Sequence, residues 1–219
     1  MKLYSKLSAL GAVMVLGTAL ASADTISLGS FGALNGNGGS MPGGTRDNTA
    51  LTFGGNATYN ISSGSAWAPA AGGNSSWVSY DPNSGPTGGN VDPNGTYTYT
   101  TTFTAVGGTY GGMLTVMADD TTDVVLNGTQ LIPAGAIGSD AHCSDNVPTC
   151  QVAFTFNLSN LNLLAGVNTL TFNVQQTGLV YQGLDFSGTL TAAPEPSTLM
   201  LLGTGLIGSA GALMRRMRA

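Results

Sequence analysis

A two-sheet β-sandwich is the fold class this sequence predicts, and three observations predict it. Of 219 residues, 8% are charged and 42% hydrophobic, and Gly occurs 33 times; with abundant Thr and Asn, this composition suits short strands joined by turns. Large apolar residues alternate with polar ones at period two over short stretches, as on half-buried strands. The chain shows no repeat period of the solenoid or propeller kind. Its length accommodates one domain with targeting segments and is sufficient to bury a core.

Lys2 and Lys6 precede the apolar run Leu7 to Leu20, and Ala21-Ser22-Ala23 follows at once. A basic start, an apolar stretch and a small-x-small site make residues 1–23 a signal peptide, cut by signal peptidase after Ala23. The competing reading is an uncleaved anchor, but the run is short for a span. Residues 24–49 are Gly/Asn-rich around Asn35-Gly36-Asn37-Gly38-Gly39, so this segment reads as loop after one candidate strand, Thr25 to Phe31.

The sandwich domain is expected over residues 50–191. Candidate strands are Leu51 to Phe53, Thr58 to Ile61, Ser76 to Tyr80, Thr96 to Ala105, Met113 to Ala118, Val124 to Leu126, Gln151 to Leu158, Thr169 to Gln175 and Leu184 to Thr191. Val152, Phe154 and Phe156 alternate with Ala153, Thr155 and Asn157, and Leu170, Phe172 and Val174 repeat the pattern, placing these apolar sets in one core. Leu161, Leu163 and Leu164 read as a short turn or helix beside them. Asn127-Gly128 is a tight hairpin signal.

The order of landmarks carries a resemblance. Trp77-Val78-Ser79 leads to the aromatic-Thr strand ending at Phe103; Ala118-Asp119-Asp120 precedes Val124-Val125-Leu126-Asn127-Gly128; Gly166-Val167-Asn168-Thr169-Leu170 leads to Phe172. This succession resembles the galactose-binding-domain-like jelly rolls that accompany many secreted glycosidases, which implies an all-β, jelly-roll-like sandwich.

The C-terminal segment, 192–219, reads Pro194-Glu195-Pro196, an apolar stretch from Ser197 to Met214 containing Leu199, Gly203 and Gly205, and then Arg215, Arg216 and Arg218. Ser197 to Met214 would form a helix of about 27 Å, the length of a thin bilayer, so a single transmembrane helix is expected here. The arginines would stay cytoplasmic. This tripartite pattern resembles the PEP-CTERM sorting signal of Gram-negative bacteria, and the same segment is also labelled an ice-binding protein C-terminal domain. In that family an exosortase, a membrane cysteine-type transpeptidase, processes the signal after export, and the proteins are associated with exopolysaccharide and biofilm. The resemblance implies cutting at Pro194-Glu195-Pro196, a transient inner-membrane stage, and a final place at the cell surface or in extracellular matrix. A simple C-terminal anchor is the alternative, and it needs no Pro-Glu-Pro.

Charge narrows the function classes. Arg46 is the only basic residue between the two ends, whereas ten Asp occupy that interior, so there are almost no cations to neutralise phosphate and nucleic acid is not an expected partner. Catalysis has little to draw on. The interior has no Glu before the tail, no Asp stands in a recognisable glycosidase motif, and the single histidine, His142, lacks a Gly-x-Ser-x-Gly companion.

The remaining candidates are binding and structural residues. Cys143 and Cys150, with six residues between them in an exported chain, read as a disulfide that shapes one loop, with free thiols as the alternative. Zinc at this loop would need His142 and an additional Asp140 or Asp145. No cofactor is required, but Asp119, Asp120 and Asp123 are candidate Ca²⁺ ligands, with turn-shaping as the competing role. Trp67, Trp77 and Tyr80, beside Gly/Asn-rich loops, are candidate sugar-stacking residues; Trp77 in the core is the alternative. Thr96, Thr98, Thr100, Thr102 and Thr104 share one strand face, an arrangement some ice-binding surfaces use, although Thr169 with Thr171 is its only echo. The expected function is noncatalytic binding of glycan or matrix. A polysaccharide hydrolase using Asp residues is second and ice binding third.

Overall fold

The computed structural model describes residues 23–138, 143–193 and 196–217. Residues 1–22, Asp140, His142, Pro194, Glu195 and Arg218 lie outside the described residues. Two compact units emerge: Asp24–Ala192 and, among the described residues of the other, the C-terminal helix.

The described residues of the larger unit form thirteen strands. They are β1 (Thr25–Gly29), β2 (Leu34–Asn35), β3 (Thr52–Phe53), β4 (Asn56–Ala57), β5 (Tyr59–Asn60), β6 (Val78–Ser79), β7 (Gly95–Ala105), β8 (Gly108–Asp119), β9 (Thr121–Leu126), β10 (Thr129–Ile132), β11 (Phe154–Leu163), β12 (Gly166–Gln176) and β13 (Gly183–Ala192). One sheet runs β11-β8-β13-β6-β5-β2, with β1 also on β13; the other runs β10-β9-β12-β7-β3-β4. From β7 to β9 and from β11 to β13, successive long strands change sheets, the wiring of a jelly-roll-like sandwich. Because β1 pairs with β13 from Thr25↔Thr191 to Gly29↔Ser187, the sandwich begins at Asp24 rather than at residue 50.

Period-two alternation places the core between the sheets. From the seven-stranded sheet come Ile26, Leu28, Tyr110, Leu114, Val116, Leu184, Phe186 and Leu190; from the other come Tyr97, Tyr99, Phe103, Val124, Leu126, Leu170, Phe172 and Val174. Phe172 and Phe186 stack across the sheets with ring centroids 4.5 Å apart. Asn127 and Gly128 both take positive φ, 50° and 83°, and turn β9 into β10 as a two-residue hairpin.

Two strands exceed what their composition signals. β11 continues through Leu161 and Leu163, expected as turn or helix, because its pairing with β8 resumes at Leu161↔Tyr110 after an irregularity between Leu158 and Leu161. β8 starts in the glycine-rich run at Gly108, and Gly112 allows the close approach of β13: a Cβ there would lie 2.0 Å from the Thr189 carbonyl oxygen.

The second unit contributes α1, Pro196–Met217, with Arg215 and Arg216 in its last turn where cations complement the helix dipole. Among the described residues no helix is long and apolar enough to cross a membrane. At 22 residues α1 is about 33 Å long.

Candidate functional site

Alternation along β8 turns Met117 and Asp119 to the face opposite Val116 and Ala118. A second core covers that face, built from Ile61, Trp67, Trp77, Met117, Cys143 and Cys150, with Tyr181 against it. Trp67 and Trp77 lie 4.3 Å apart, and Tyr181 meets the edge of Trp67 at 5.6 Å. The Trp67 ring occupies the space a side chain on Gly183 would need, 2.7 Å from its ideal Cβ. Cys143 and Cys150 form the expected disulfide, Cα atoms 5.6 Å apart, and their sulfurs lie within 4.8 Å of an Asp119 carboxylate oxygen. Joined sulfurs offer no thiolate, so this loop supplies no zinc ligands from cysteine.

The sugar-stacking assignment of Trp67 and Trp77 is therefore corrected. Both are buried, 4% and 2% exposed, and their indole N–H groups donate inward, Trp67 to Asp119 Oδ2 at 2.6 Å and Trp77 to the Ala68 carbonyl at 2.9 Å. Segment 62–77 is otherwise Gly, Ser, Ala, Asn and Pro, so the two indoles supply the bulk that covers the outer sheet face. Tyr80 is half-buried, stacks on Tyr97 at 5.3 Å and donates its hydroxyl to Asp92 Oδ1 at 2.8 Å. An aromatic that the alternation assigned to the core is instead open: Phe154, at the start of edge strand β11, is 45% exposed and meets Phe156 edge-on.

Asp119 and Asp120 join β8 to β9, each 1% exposed. The Asp120 N–H donates to Gln175 O at 2.7 Å, while Thr177 donates to Asp120 Oδ2 through its N–H at 2.7 Å and its hydroxyl at 2.6 Å. Those bonds bracket Gln176, also 1% exposed. Three buried oxygens here, Asp119 Oδ1, Asp120 Oδ1 and Gln176 Oε1, have no hydrogen-bond partner among the described residues. Desolvation pushes the Asp119 carboxyl up to about 9; the Trp67 N–H opposes this, and the neighbouring Asp120 carboxyl adds to it.

The other buried acids differ. Asp92 receives Tyr80 Oη–H, Ser84 Oγ–H, Asn90 Nδ2–H and the Gln182 N–H. Asp185, raised to about 6 by burial, receives the Ser30 hydroxyl at 2.9 Å and the Ala71 N–H at 3.3 Å. Donors thus hold Asp92 and Asp185 in place, while the Asp119–Asp120 corner is short of them. Asp123 does not join that corner. It lies on the opposite face of β9 from core residue Val124 and accepts from Asn173 Nδ2 at 2.8 Å. Gln176 escapes sequence reasoning because it reads only as the polar end of an alternating strand.

On the outer face of the other sheet, Thr102 pairs with Thr169 and Thr100 with Thr171 and Thr52. Thr98, however, faces Asn173, Thr96 faces Gln175 and Thr104 faces Val167, so the threonine array stops after two ranks.

The tail carries a signature of its own. Residues 192–218 are a PEP-CTERM protein-sorting motif. This motif implies processing by an exosortase, export and sorting to the cell surface. No curated protein matches the chain. Among solved structures, the PEP-CTERM chain is similar to the Podospora anserina GH26-CBM35 β-(1,4)-mannanase at 18% identity, over 69% of this chain and 29% of that one, with a TM-score of 0.35. It is also similar to the CBM36-1 domain of a xylanase from the hindgut metagenome of Trinervitermes trinervoides (15%, 68% and 99%, 0.33). A third likeness is to a family 35 carbohydrate-binding module from Clostridium thermocellum (14%, 66% and 100%, 0.34). The chain spans less than a third of the mannanase.

Proposed function

We propose that this protein is a noncatalytic β-sandwich, exported through the inner membrane and processed at both ends, that binds glycan or packs into exopolysaccharide matrix at the cell surface. The observation that supports this reading is the polarity of the sandwich. The Ala192 N–H donates to Asp24 O at 2.8 Å and Tyr110 Oη–H to Asp24 Oδ2 at 2.5 Å, so the chain enters and leaves the sandwich side by side. Asp119 pairs with Gly183 at the far end of β8, nine residues and about 30 Å from Tyr110. A module attached by either terminus thus presents its opposite end and the outer face of the β10-β9-β12-β7-β3-β4 sheet to its surroundings.

The acidic side chains favour binding over hydrolysis. Asp92, Asp119, Asp120 and Asp185 are turned inward, Asp47 accepts the Ser27 N–H, Asp81 the Asn83 N–H and Asp123 the Asn173 amide. These carboxyls hold strands and turns, whereas a glycosidase presents two opposed carboxyls across a cleft.

Retention of the exported protein on immobilised polysaccharides, or on a glycan array, tests the reading. Specific retention without released sugar is the expected outcome. Release of reducing sugar, abolished by a single Asp→Asn change, would replace this reading with the hydrolase.

A further inference from the structure

We propose that the corner formed by Asp119, Asp120 and Gln176 binds a hard divalent cation, which in an exported protein is Ca²⁺. The argument starts from hydrogen-bond satisfaction. Buried oxygens in folded proteins have partners, and one left without a donor carries its full desolvation cost. Three such oxygens, Asp119 Oδ1, Asp120 Oδ1 and Gln176 Oε1, belong to two adjacent residues and to the residue between Gln175 and Thr177, both of which bond to Asp120, and all three are acceptors. A single proton moving between two carboxyls serves Asp119 and Asp120 and leaves the amide oxygen of Gln176 unserved. A cation serves all three.

The donor set also specifies the class of ion. Two carboxylate oxygens and one amide oxygen are hard ligands of the kind Ca²⁺ takes, with backbone carbonyls and water completing its shell. The second oxygen of each carboxylate is anchored, Asp119 Oδ2 by Trp67 and Asp120 Oδ2 by Thr177, so the free oxygens are held in place before any ion arrives. Asp92 and Asp185 show what this fold does when no ion is needed: it surrounds a buried acid with hydroxyl, amide and backbone donors. The inference is independent of glycan binding, since the corner is buried and would serve the fold first.

Trp67 provides the readout. Its indole N–H sits on Asp119, so a lanthanide bound there is within range of energy transfer from the Trp67–Trp77 pair. The experiment is titration of the full chain, in mild detergent after treatment with EDTA, with Tb³⁺ under tryptophan excitation. Saturable sensitised emission, displaced by Ca²⁺ and accompanied by a Ca²⁺-dependent rise in Tm, is the expected result. Asp120→Asn and Gln176→Leu should each weaken Tb³⁺ binding at least tenfold, with near-ultraviolet circular dichroism reporting that each variant is folded. If the folded wild type gives neither saturable emission nor a Tm shift with Ca²⁺, the corner holds a shared proton and the proposal fails. Undiminished binding in folded Gln176→Leu and Asp120→Asn also overturns it, because the ion would then sit elsewhere.

Discussion

Truncating Phe172 to alanine tests whether the stack between the sheets holds the sandwich together. Phe172 is fully buried on β12, which lies between β9 and β7, so strands on both sides prevent the site from collapsing. Its ring is stacked on Phe186 of the opposite sheet, so the cavity would open where the sheets meet. Phe→Ala at such sites costs about 3–5 kcal/mol, and the rigid surroundings place this one in the upper half of that range. Against the roughly 5–15 kcal/mol stability of a typical domain, the variant retains a fraction of its margin. Phe154→Ala is the internal control: on an edge strand and nearly half exposed, it should cost less than about 1 kcal/mol. Urea unfolding followed by tryptophan fluorescence compares the two, with Trp67 and Trp77 as native probes. The double variant Phe172→Ala/Phe186→Ala should depart from additivity by about 0.5–1.5 kcal/mol, the coupling of an aromatic pair. If Phe172→Ala unfolds at the same urea concentration as Phe154→Ala, this account of the core is wrong.

Three further outcomes follow from single residues. Asp185, raised from 3.8 to about 6, binds its proton more tightly folded than unfolded, so its contribution is full below pH 4 and declines as pH rises to 6. At about 1.4 kcal/mol per unit, its loss amounts to about 3 kcal/mol, and Asp185→Asn should flatten the pH dependence of urea unfolding by that amount; an unchanged slope refutes the assignment. Gly112→Ala forces a Cβ against the Thr189 carbonyl and should lower stability by about 1–3 kcal/mol, whereas Gly95→Ala, with open space around it, should change it little; equal Tm values for both variants would contradict the β8–β13 register. Replacing Pro194-Glu195-Pro196 by three alanines should leave the exported chain at its unprocessed mass and deplete it from the cell surface, and a normally processed variant would show that cutting does not depend on the motif.

Much of this architecture was legible in local patterns. Alternation in Phe154–Asn157 and Leu170–Val174 belongs to strands because side chains on a pleated backbone alternate faces whatever their neighbours are, although β11 begins at Phe154 and leaves Val152 outside it. Asn127-Gly128 makes its hairpin because these residues accept positive φ at low cost, and the spacing of Cys143 and Cys150 permits a small ring. The PEP-CTERM tail is equally local, a linear signal read by a processing enzyme. Tertiary pairing decided the rest. Alternation identifies two faces without saying which will be covered, so Trp67 and Trp77 became core only when segment 62–77 crossed the outer face of β8. Phe154 stayed open because β11 lies at the edge of its sheet. Asp123 is close in sequence to Asp119 and Asp120, yet strand geometry turned it outward, while Gln176, more than fifty residues away, came to their corner through its neighbours' bonds to Asp120. Linear order records neighbours along the chain; a buried cluster is made by strands that meet through long-range pairing, and only the folded register assembles it.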